Sequence, residues 1–347
     1  ADGTVALADE TLALRYEVSV SDLAPVAAAY DANAAGALNS AGDVTGPFAA
    51  AAIKAATTLD GFAFDGQPIG NARLQHDFTL ADAITGTLTL AAETRDYGPV
   101  RAAAGIRLAG DELTVEDLTA NALGVRAAGA GPVTANLATG LAKGRLTWRA
   151  ADLATVARLA GTPLAGQARG EIALEPTNER QDITLALTLE NGHSGDTELA
   201  LLTLSGSVRD ALGPVPTVNI TAHGEGVEAG RTSVGPVDLT MTGPLNRAGL
   251  KLTLAGIAPD GRAIGADAAA TLDLLGQPLA VTVNALTARY DKHEARLLQP
   301  LKLTSGGGRT RADGLRLAVP GGELAGKLGL VGQRLQTALT ASFSDLG

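Results

Sequence analysis

The chain has 347 residues and a formal net charge of −10, with 27 Lys and Arg residues against 37 Asp and Glu residues. Because the basic residues are few and form no cluster, the sequence argues against a nucleic-acid surface and against electrostatic docking on anionic membranes. The absence of cysteine excludes disulfides, thiolate catalysis and cysteine-ligated metals. Aromatic residues make up only 3% of the chain although 46% is hydrophobic, so its apolar interior must be thin or lined by aliphatic side chains.

The ends of the chain and its hydropathy bear on membrane attachment. No run of 18 apolar residues is present, so the sequence predicts no helix that spans a bilayer. The first residues, Ala1–Gly3, lack the basic and apolar regions of a signal peptide. We therefore expect the chain to be an internal segment of a longer protein.

Two short helices are predicted near residues 22–30 and 152–160, because both segments contain the pattern Asp-Leu-Ala-x-Val-Ala. In each segment an aspartate precedes apolar residues at helical spacing, as expected of a capped amphipathic helix. The two aspartates are 130 residues apart, which suggests two repeat units, 1–143 and 144–347. The apolar residues assigned to these helices are Leu23, Val26 and Tyr30 in the first, and Leu153 and Val156 in the second.

Strict alternation of apolar and polar residues is the main signal elsewhere, and it predicts half-buried strands of antiparallel sheet. Gly, Asp, Asn and Pro separate the alternating stretches, for example at residues 259–261 and 320–322, and favour short turns. About 25 strands of ordinary length would fit in the chain. The apolar residues of the alternating stretches are Leu88, Leu90, Ile183, Leu185, Leu187, Leu189, Leu239, Met241, Leu250, Leu252, Leu254, Val281, Val283, Leu301, Leu303, Leu315, Leu317, Leu328 and Leu330.

No residue pattern supports catalysis. The four histidines, at 76, 193, 223 and 293, are isolated and none has the spacing of metal ligands. The glycine-rich stretch 224–230 has the wrong spacing for a dinucleotide-binding turn and is flanked by strand patterns. We expect a protein that is not an enzyme and has no catalytic residue, cofactor or metal site.

The apolar face of the alternating strands has two interpretations. It is either the filled core of a β-sandwich or solenoid, or a groove that stays partly open and binds acyl chains. A groove of this size would exceed the apolar patch that soluble proteins usually expose, and lipid would cover it.

Several motifs resemble the TamB family, which belongs to the AsmA-like, bridge-like lipid-transfer superfamily. They are Leu-x-x-Pro at 297–300, Leu-x-Leu at 315–317 and Gly-Gly-x-Leu-x-Gly at 321–326. A helix-and-strand motif, Asp-Leu followed by Leu-Ala-Gly-x-Pro-Leu-x-Gly, lies within 152–166, and a strand entry of the family lies at 234–239. The motifs cover about two thirds of the chain, and its Ala- and Gly-rich style is similar to that of alphaproteobacterial members. At residues 33–38 the chain departs from the family pattern, because the Gly-x-Pro-Leu part is missing.

The resemblance implies a mostly β fold: an elongated, curled antiparallel sheet that forms an open groove with an apolar interior and a few short helices. It implies that residues 1–347 are one repetitive segment in the periplasm of a Gram-negative bacterium. The membrane anchor in the inner membrane and the region that binds a TamA-like outer-membrane barrel would lie outside this segment.

The implied function is transport of phospholipid between the inner and outer membranes along a hydrophobic conduit, linked to outer-membrane protein assembly. The apolar residues named above would line the groove against phospholipid acyl chains, and the two helices would cap or narrow it. Two alternatives remain: a chaperone-like scaffold that inserts outer-membrane β-barrel proteins by strand augmentation, and an extracellular β-solenoid such as an adhesin stalk.

Overall fold

The computed structural model describes residues 2–29, 32–94, 98–159, 164–306, 309–331 and 334–343. The chain divides into two compact units. Unit 1 comprises Ala1–Ala160 with Ala173–Glu175, and unit 2 comprises Gly161–Ile172 with Pro176–Gly347. Antiparallel β-sheet dominates both units.

The strands of unit 1 are β1 (Asp2–Ala6), β2 (Thr11–Val20), β3 (Ala34–Pro47), β4 (Ala51–Phe64), β5 (Gln67–Leu80), β6 (Ile84–Thr94), β7 (Gly98–Ala109), β8 (Glu112–Ala122), β9 (Val125–Gly129), β10 (Val133–Asn136) and β11 (Ala142–Ala150). Successive strands from β1 to β9 pair antiparallel. Tight turns join several of these strands, and Asp65 and Gly66 between β4 and β5 both have positive φ, at 48° and 75°. Such turns match the twist of the flanking strands and therefore fix their register.

The strands of unit 2 are β13 (Arg180–Ser194), β14 (Thr197–Arg209), β15 (Thr217–Ala229), β16 (Thr232–Pro244), β17 (Ala248–Ile257), β18 (Ala263–Asp273), β19 (Leu279–Tyr290), β20 (His293–Leu297), β21 (Leu301–Gly306), β22 (Arg309–Val319), β23 (Gly322–Val331) and β24 (Arg334–Phe343). Strand β12 (Ala165–Thr177) is divided between the two units. From β13 onward every described pairing is antiparallel.

Each unit contains one place where two short strands occupy the position of a single long strand. In unit 1, β9 and β10 both pair with β8 on one side and β11 on the other. In unit 2, β20 and β21 both pair with β19 and β22. Pro132 and Pro300 immediately precede the second short strand in each case. Because proline has no N–H to donate to a ladder, the break in pairing falls at these residues.

Two short α-helices interrupt the sheet, α1 at Ala24–Ala28 and α2 at Ala154–Leu159, and a turn of 3-10 helix lies at Phe48–Ala50. Both α-helices lie inside the predicted segments. Asp22 does not occupy the N-cap position itself, because Leu23 is the N-cap of α1. The Asp22 side chain instead accepts a hydrogen bond from the Ala24 N–H at 3.0 Å. Asp152 makes the equivalent bond with the Ala154 N–H at 2.9 Å.

The predicted fold class, mostly β with antiparallel sheet and a few short helices, is confirmed. The alternation that predicted it has a simple cause, since successive side chains of a strand point to opposite sides of the sheet. Among the described residues, no helix is long and apolar enough to cross a bilayer.

Candidate functional site

The candidate site is one face of the sheet, and the register of unit 2 defines it. Residues directly opposite one another in an antiparallel pair point to the same side of the sheet. A row of apolar residues therefore crosses seven strands on one side, which we call the apolar face. The row, from β13 to β19, is Leu187, Leu204, Ala222, Leu239, Leu252, Ala268 and Leu286.

The adjacent row of the same seven strands points to the other side, which we call the polar face. It consists of Thr188, Thr203, His223, Asp238, Thr253, Asp267 and Thr287. The two rows are one residue apart along each strand, yet one is entirely apolar and the other entirely polar. The sheet of unit 2 is thus strongly two-faced.

Register and the alternation along each strand bring most of the predicted lining residues onto this single face of unit 2. They are Ile183, Leu185, Leu187, Leu189, Leu239, Met241, Leu250, Leu252, Leu254, Val281, Val283, Leu301, Leu303, Leu315 and Leu317. Leu189, Leu301 and Leu315 are buried and the others are half-buried. Leu328 and Leu330 lie in β23, but their side chains fall outside the described part of the chain.

The two predicted lining residues of unit 1 lie in β6. Leu88 is opposite His76 of β5 and Ala104 of β7, and Leu90 is opposite Leu74 and Ala102. Both are half-buried on the side of the sheet that carries Leu74. This side is the apolar face of unit 1, because alternate residues such as Lys54 and Asp77 point to the other side.

The helix residues assigned to the groove differ in exposure. Val26 is 48% exposed, and Leu23, Leu153 and Val156 are half-buried. Tyr30 lies outside the described residues. No strand pairing brings these side chains onto the apolar face, and their assignment to a groove stays a prediction.

Burial on the apolar face is shallow. Among the described residues no large side chain falls below 2% exposure, and most of the buried apolar residues are alanines. The accessible surface is 20945 Å². A compact protein of this mass exposes about 13,000 Å², and two separate compact bodies of half the mass would expose about 16,000 Å² together. The chain therefore leaves much more surface uncovered than a folded protein with a filled core.

One region of the apolar face is packed more closely. Leu297, Leu301, Ala312 and Leu315 form a buried cluster around the broken strand β20–β21. A hydrogen bond from Gln299 Nε2 to the carbonyl oxygen of Gly314, at 2.9 Å, joins the break in one strand to the bulge in the next. The Leu-x-x-Pro motif therefore marks a local core.

Several ion pairs lie on the polar face. In unit 1, Arg15 pairs with Asp43 at 3.1 Å and Lys54 with Asp77 at 3.6 Å, across neighbouring strands. These four residues line an open hollow of about 860 Å³ on the polar face. In unit 2 a smaller hollow of about 410 Å³ is lined by residues that include His223 and Asp238. The charged groups at both hollows pair with one another, so we assign the candidate function to the apolar face instead.

Several titratable groups of unit 2 have shifted pKa values. Hydrogen bonds to Asp238 and then to Glu225 raise the pKa of His223 above its ordinary value. The hydrogen bond that Tyr290 donates to Asp260 lowers the pKa of that carboxyl and raises the pKa of the phenol. His223 is half-buried, and Asp260 and Tyr290 are exposed. Within the described ranges no group of three or more His, Asp or Glu side chains could hold a metal ion.

Sequence reasoning missed one feature of unit 1. His76 points to the apolar face, where its ring stacks on Phe78 with centroids 5.2 Å apart. On the same face Ser40 and Thr57 share a hydrogen bond of 2.9 Å. The alternation Leu74-x-His76-x-Phe78 contained this signal, since it places the imidazole on the apolar side of its strand.

No protein-family model matches the chain, and no curated protein or solved structure matches it significantly either.

Proposed function

We propose that the chain forms the wall of a hydrophobic conduit that carries phospholipid between two membranes. The observation that supports this most is the apolar row that crosses β13 to β19 beside an entirely polar row. One side of the sheet suits acyl chains and the other suits water. The conduit needs no catalytic group, and the protein is proposed not to be an enzyme.

The shallow burial of the apolar face favours a conduit over a filled core. A core of this size normally contains large side chains that are fully shielded from water, and among the described residues none is less than 2% exposed. Acyl chains would supply the missing contacts, at about 0.8 kcal/mol for each buried CH₂ group.

The repetition of the apolar row favours sliding over tight capture. Neighbouring strands are about 4.8 Å apart, and each presents similar aliphatic side chains. A lipid that moves by one strand exchanges Leu239 for Leu252, which stand opposite each other. Because the two positions offer nearly equal contacts, the free-energy barrier between them is small.

The proposed cellular setting follows the TamB resemblance. The segment would lie in the periplasm, reach the inner membrane through an anchor elsewhere in the protein, and meet a TamA-like outer-membrane barrel through another region. Outer-membrane protein assembly would depend on the lipid that the conduit delivers.

Single cysteines test the proposal directly, because the chain has none of its own. Leu252→Cys and Thr253→Cys place a benzophenone label on opposite faces of one strand, one residue apart. After incubation with vesicles of phosphatidylethanolamine and phosphatidylglycerol, light should crosslink phospholipid to position 252 and leave position 253 free. Equal crosslinking at both positions, or none at 252, would contradict the conduit.

A second candidate function is strand augmentation, in which a client strand adds to the edge of the sheet. Strand β24 favours this function. Its described partner is β23, and its apolar side chains Leu339 and Phe343 are exposed. A photo-crosslinker at Leu339 should then capture unfolded outer-membrane proteins. Capture of lipid alone at this position would speak against augmentation.

A further inference from the structure

The apolar face of unit 1 contains a polar cluster formed by Tyr16, Ser40, Thr57 and His76, which we call the hydroxyl–imidazole cluster. Register places all four side chains on the same face as Leu88. All four are half-buried, and they lie near the middle of β2, β3 and β4 and toward one end of β5. In unit 2 the row from Leu187 to Leu286 contains no polar residue, so unit 1 differs at this point.

Small residues lie between Tyr16 and His76 within the cluster. Tyr16 is opposite Gly42, Gly42 is opposite Ala55, and Ala55 is opposite His76. The two rings therefore stand on either side of a floor without large side chains. A Cβ atom at Gly42 would come within 2.5 Å of the Ala55 Cβ atom, so this floor has no room for a larger residue.

The cluster offers hydrogen-bond donors without a negative charge. Ser40 and Thr57 use one hydroxyl hydrogen in their mutual bond, which leaves the other free to donate. Neither the Tyr16 hydroxyl nor the His76 ring hydrogen bonds to another described residue. The nearby charged residues Arg15, Asp43, Lys54 and Asp77 alternate with the cluster and point to the polar face.

Apolar rows flank the cluster on both sides. One consists of Leu14, Val44, Ile53 and Phe78, and the other of Val20, Leu38, Leu59 and Ala72. A ligand that fits this arrangement has acceptor oxygens at its centre and hydrocarbon next to them. Phosphate and ester oxygens of a phospholipid accept hydrogen bonds and do not donate them, and its acyl chains begin at the esters.

We propose that the hydroxyl–imidazole cluster binds the phosphate and ester oxygens of a phospholipid and makes the apolar face of unit 1 a point of retention. This inference rests on the proposed conduit function and adds a defined polar contact to it. Burial of the Tyr16 hydroxyl and the His76 ring N–H under hydrocarbon alone would leave them without hydrogen-bond partners, which is unfavourable. The cluster therefore selects a phospholipid over a plain hydrocarbon.

Histidine NMR on the full chain tests the proposal, because the chain has only four histidines. His223 lies on the polar face and serves as an internal control. Dihexanoyl phosphatidylglycerol below its micellar concentration should shift the His76 ring resonances, whereas decane should leave its N–H hydrogen bonding unchanged. Equal effects of both probes would overturn the inference.

Conservative variants separate binding from folding. Tyr16→Phe and Thr57→Val remove one hydroxyl each and keep the shape of the side chain, and each should weaken phospholipid binding about fivefold. Thr89→Val, on the polar face, is the matched control and should change nothing. Unchanged affinity in Tyr16→Phe and Thr57→Val, with lipid crosslinking at position 252 intact, overturns this inference alone. Loss of crosslinking at position 252 in the unmodified chain overturns the conduit and the inference with it.

Discussion

His223 Nδ1 lies 2.7 Å from Asp238 Oδ1 on the polar face of unit 2, and its Nε2 lies 3.1 Å from Glu225 Oε1. A neutral imidazole carries one hydrogen and can donate to only one of these carboxylates, whereas the charged form donates to both. The two hydrogen bonds therefore favour the charged form and raise the pKa of His223 above its ordinary 6.5.

The raised pKa of His223 predicts a pH-dependent contribution to the free energy of unfolding. A pKa that is higher in the folded state stabilises fully below the unfolded-state value and loses its effect as the pH rises through the folded-state value. Asp238→Asn removes the carboxylate that raises the pKa of His223 most. The pKa of His223 should therefore fall back toward 6.5 in an NMR titration of the variant. In urea unfolding, the stability of the variant should also fall less than that of the unmodified chain as the pH rises above 6.5. Identical titration curves in the two proteins would contradict this account.

Gly314 predicts a backbone effect at the bulge of β22. Its φ is +85°, in the left-handed region that favours glycine. Gly314→Ala should lower the free energy of unfolding by about 1–2 kcal/mol. Gly224→Ala is the control, because its φ is not in that region and its Cβ would meet Leu199 Cδ1 at an ordinary 3.6 Å. That substitution should be neutral or stabilise by up to about 1 kcal/mol, since it restricts the unfolded chain. Chemical denaturation measures both, and equal effects would argue against a strained bulge.

The buried cluster at the broken strand β20–β21 predicts that Leu→Ala substitutions lower the free energy of unfolding by different amounts at different positions. Leu297 is 8% exposed and contacts other buried residues, so Leu297→Ala should cost about 2–4 kcal/mol. Leu212 is 64% exposed in a loop, and Leu212→Ala should cost less than about 0.5 kcal/mol. Leu252→Ala, on the shallow part of the apolar face, should fall between the two. A cost at Leu252 as large as that at Leu297 would indicate a filled core instead of an open wall.

The strands could be predicted because their information is local. The alternation Leu250-Lys251-Leu252-Thr253-Leu254 assigns three leucines to one side of β17 without knowledge of any neighbour. Alternation does not say which side of the next strand coincides with it. That Leu252 stands opposite Leu239 depends on the lengths of the connecting turns, and a shift of one residue would invert the face.

The hydroxyl–imidazole cluster could not be assembled from the sequence for the same reason. Ser40 and Thr57 are 17 residues apart, and their contact requires the register of β3 with β4. The break between β20 and β21 was equally hidden, because Pro300 in an alternating stretch reads as a turn. The structure identifies Pro300 as an interruption within a strand, because β20 and β21 both pair with β19 and with β22.

The two helices were predicted from a shared local pattern, and their stability depends on it. Helices α1 and α2 have five and six residues, too few to persist in water without support. Asp152 Oδ1 accepts from the Ala154 N–H at 2.9 Å, and Ala157 N–H donates to the Leu153 carbonyl at 2.8 Å. Asp22 makes the same bond at the start of α1.

Loss of the aspartate oxygen should therefore loosen each helix locally. Asp152→Ala leaves the Ala154 N–H without its partner and should cost about 1 kcal/mol of local stability. Hydrogen exchange at the amides of residues 154 and 157 should then be about five times faster. Asp152→Asn is the matched control, since its amide oxygen still accepts the bond, and it should exchange nearly as slowly as the unmodified chain. If Asp152→Ala and Asp152→Asn exchange alike, the side-chain bond does not hold the helix. A parallel pair of results at Asp22 would show that both helices are built in the same way.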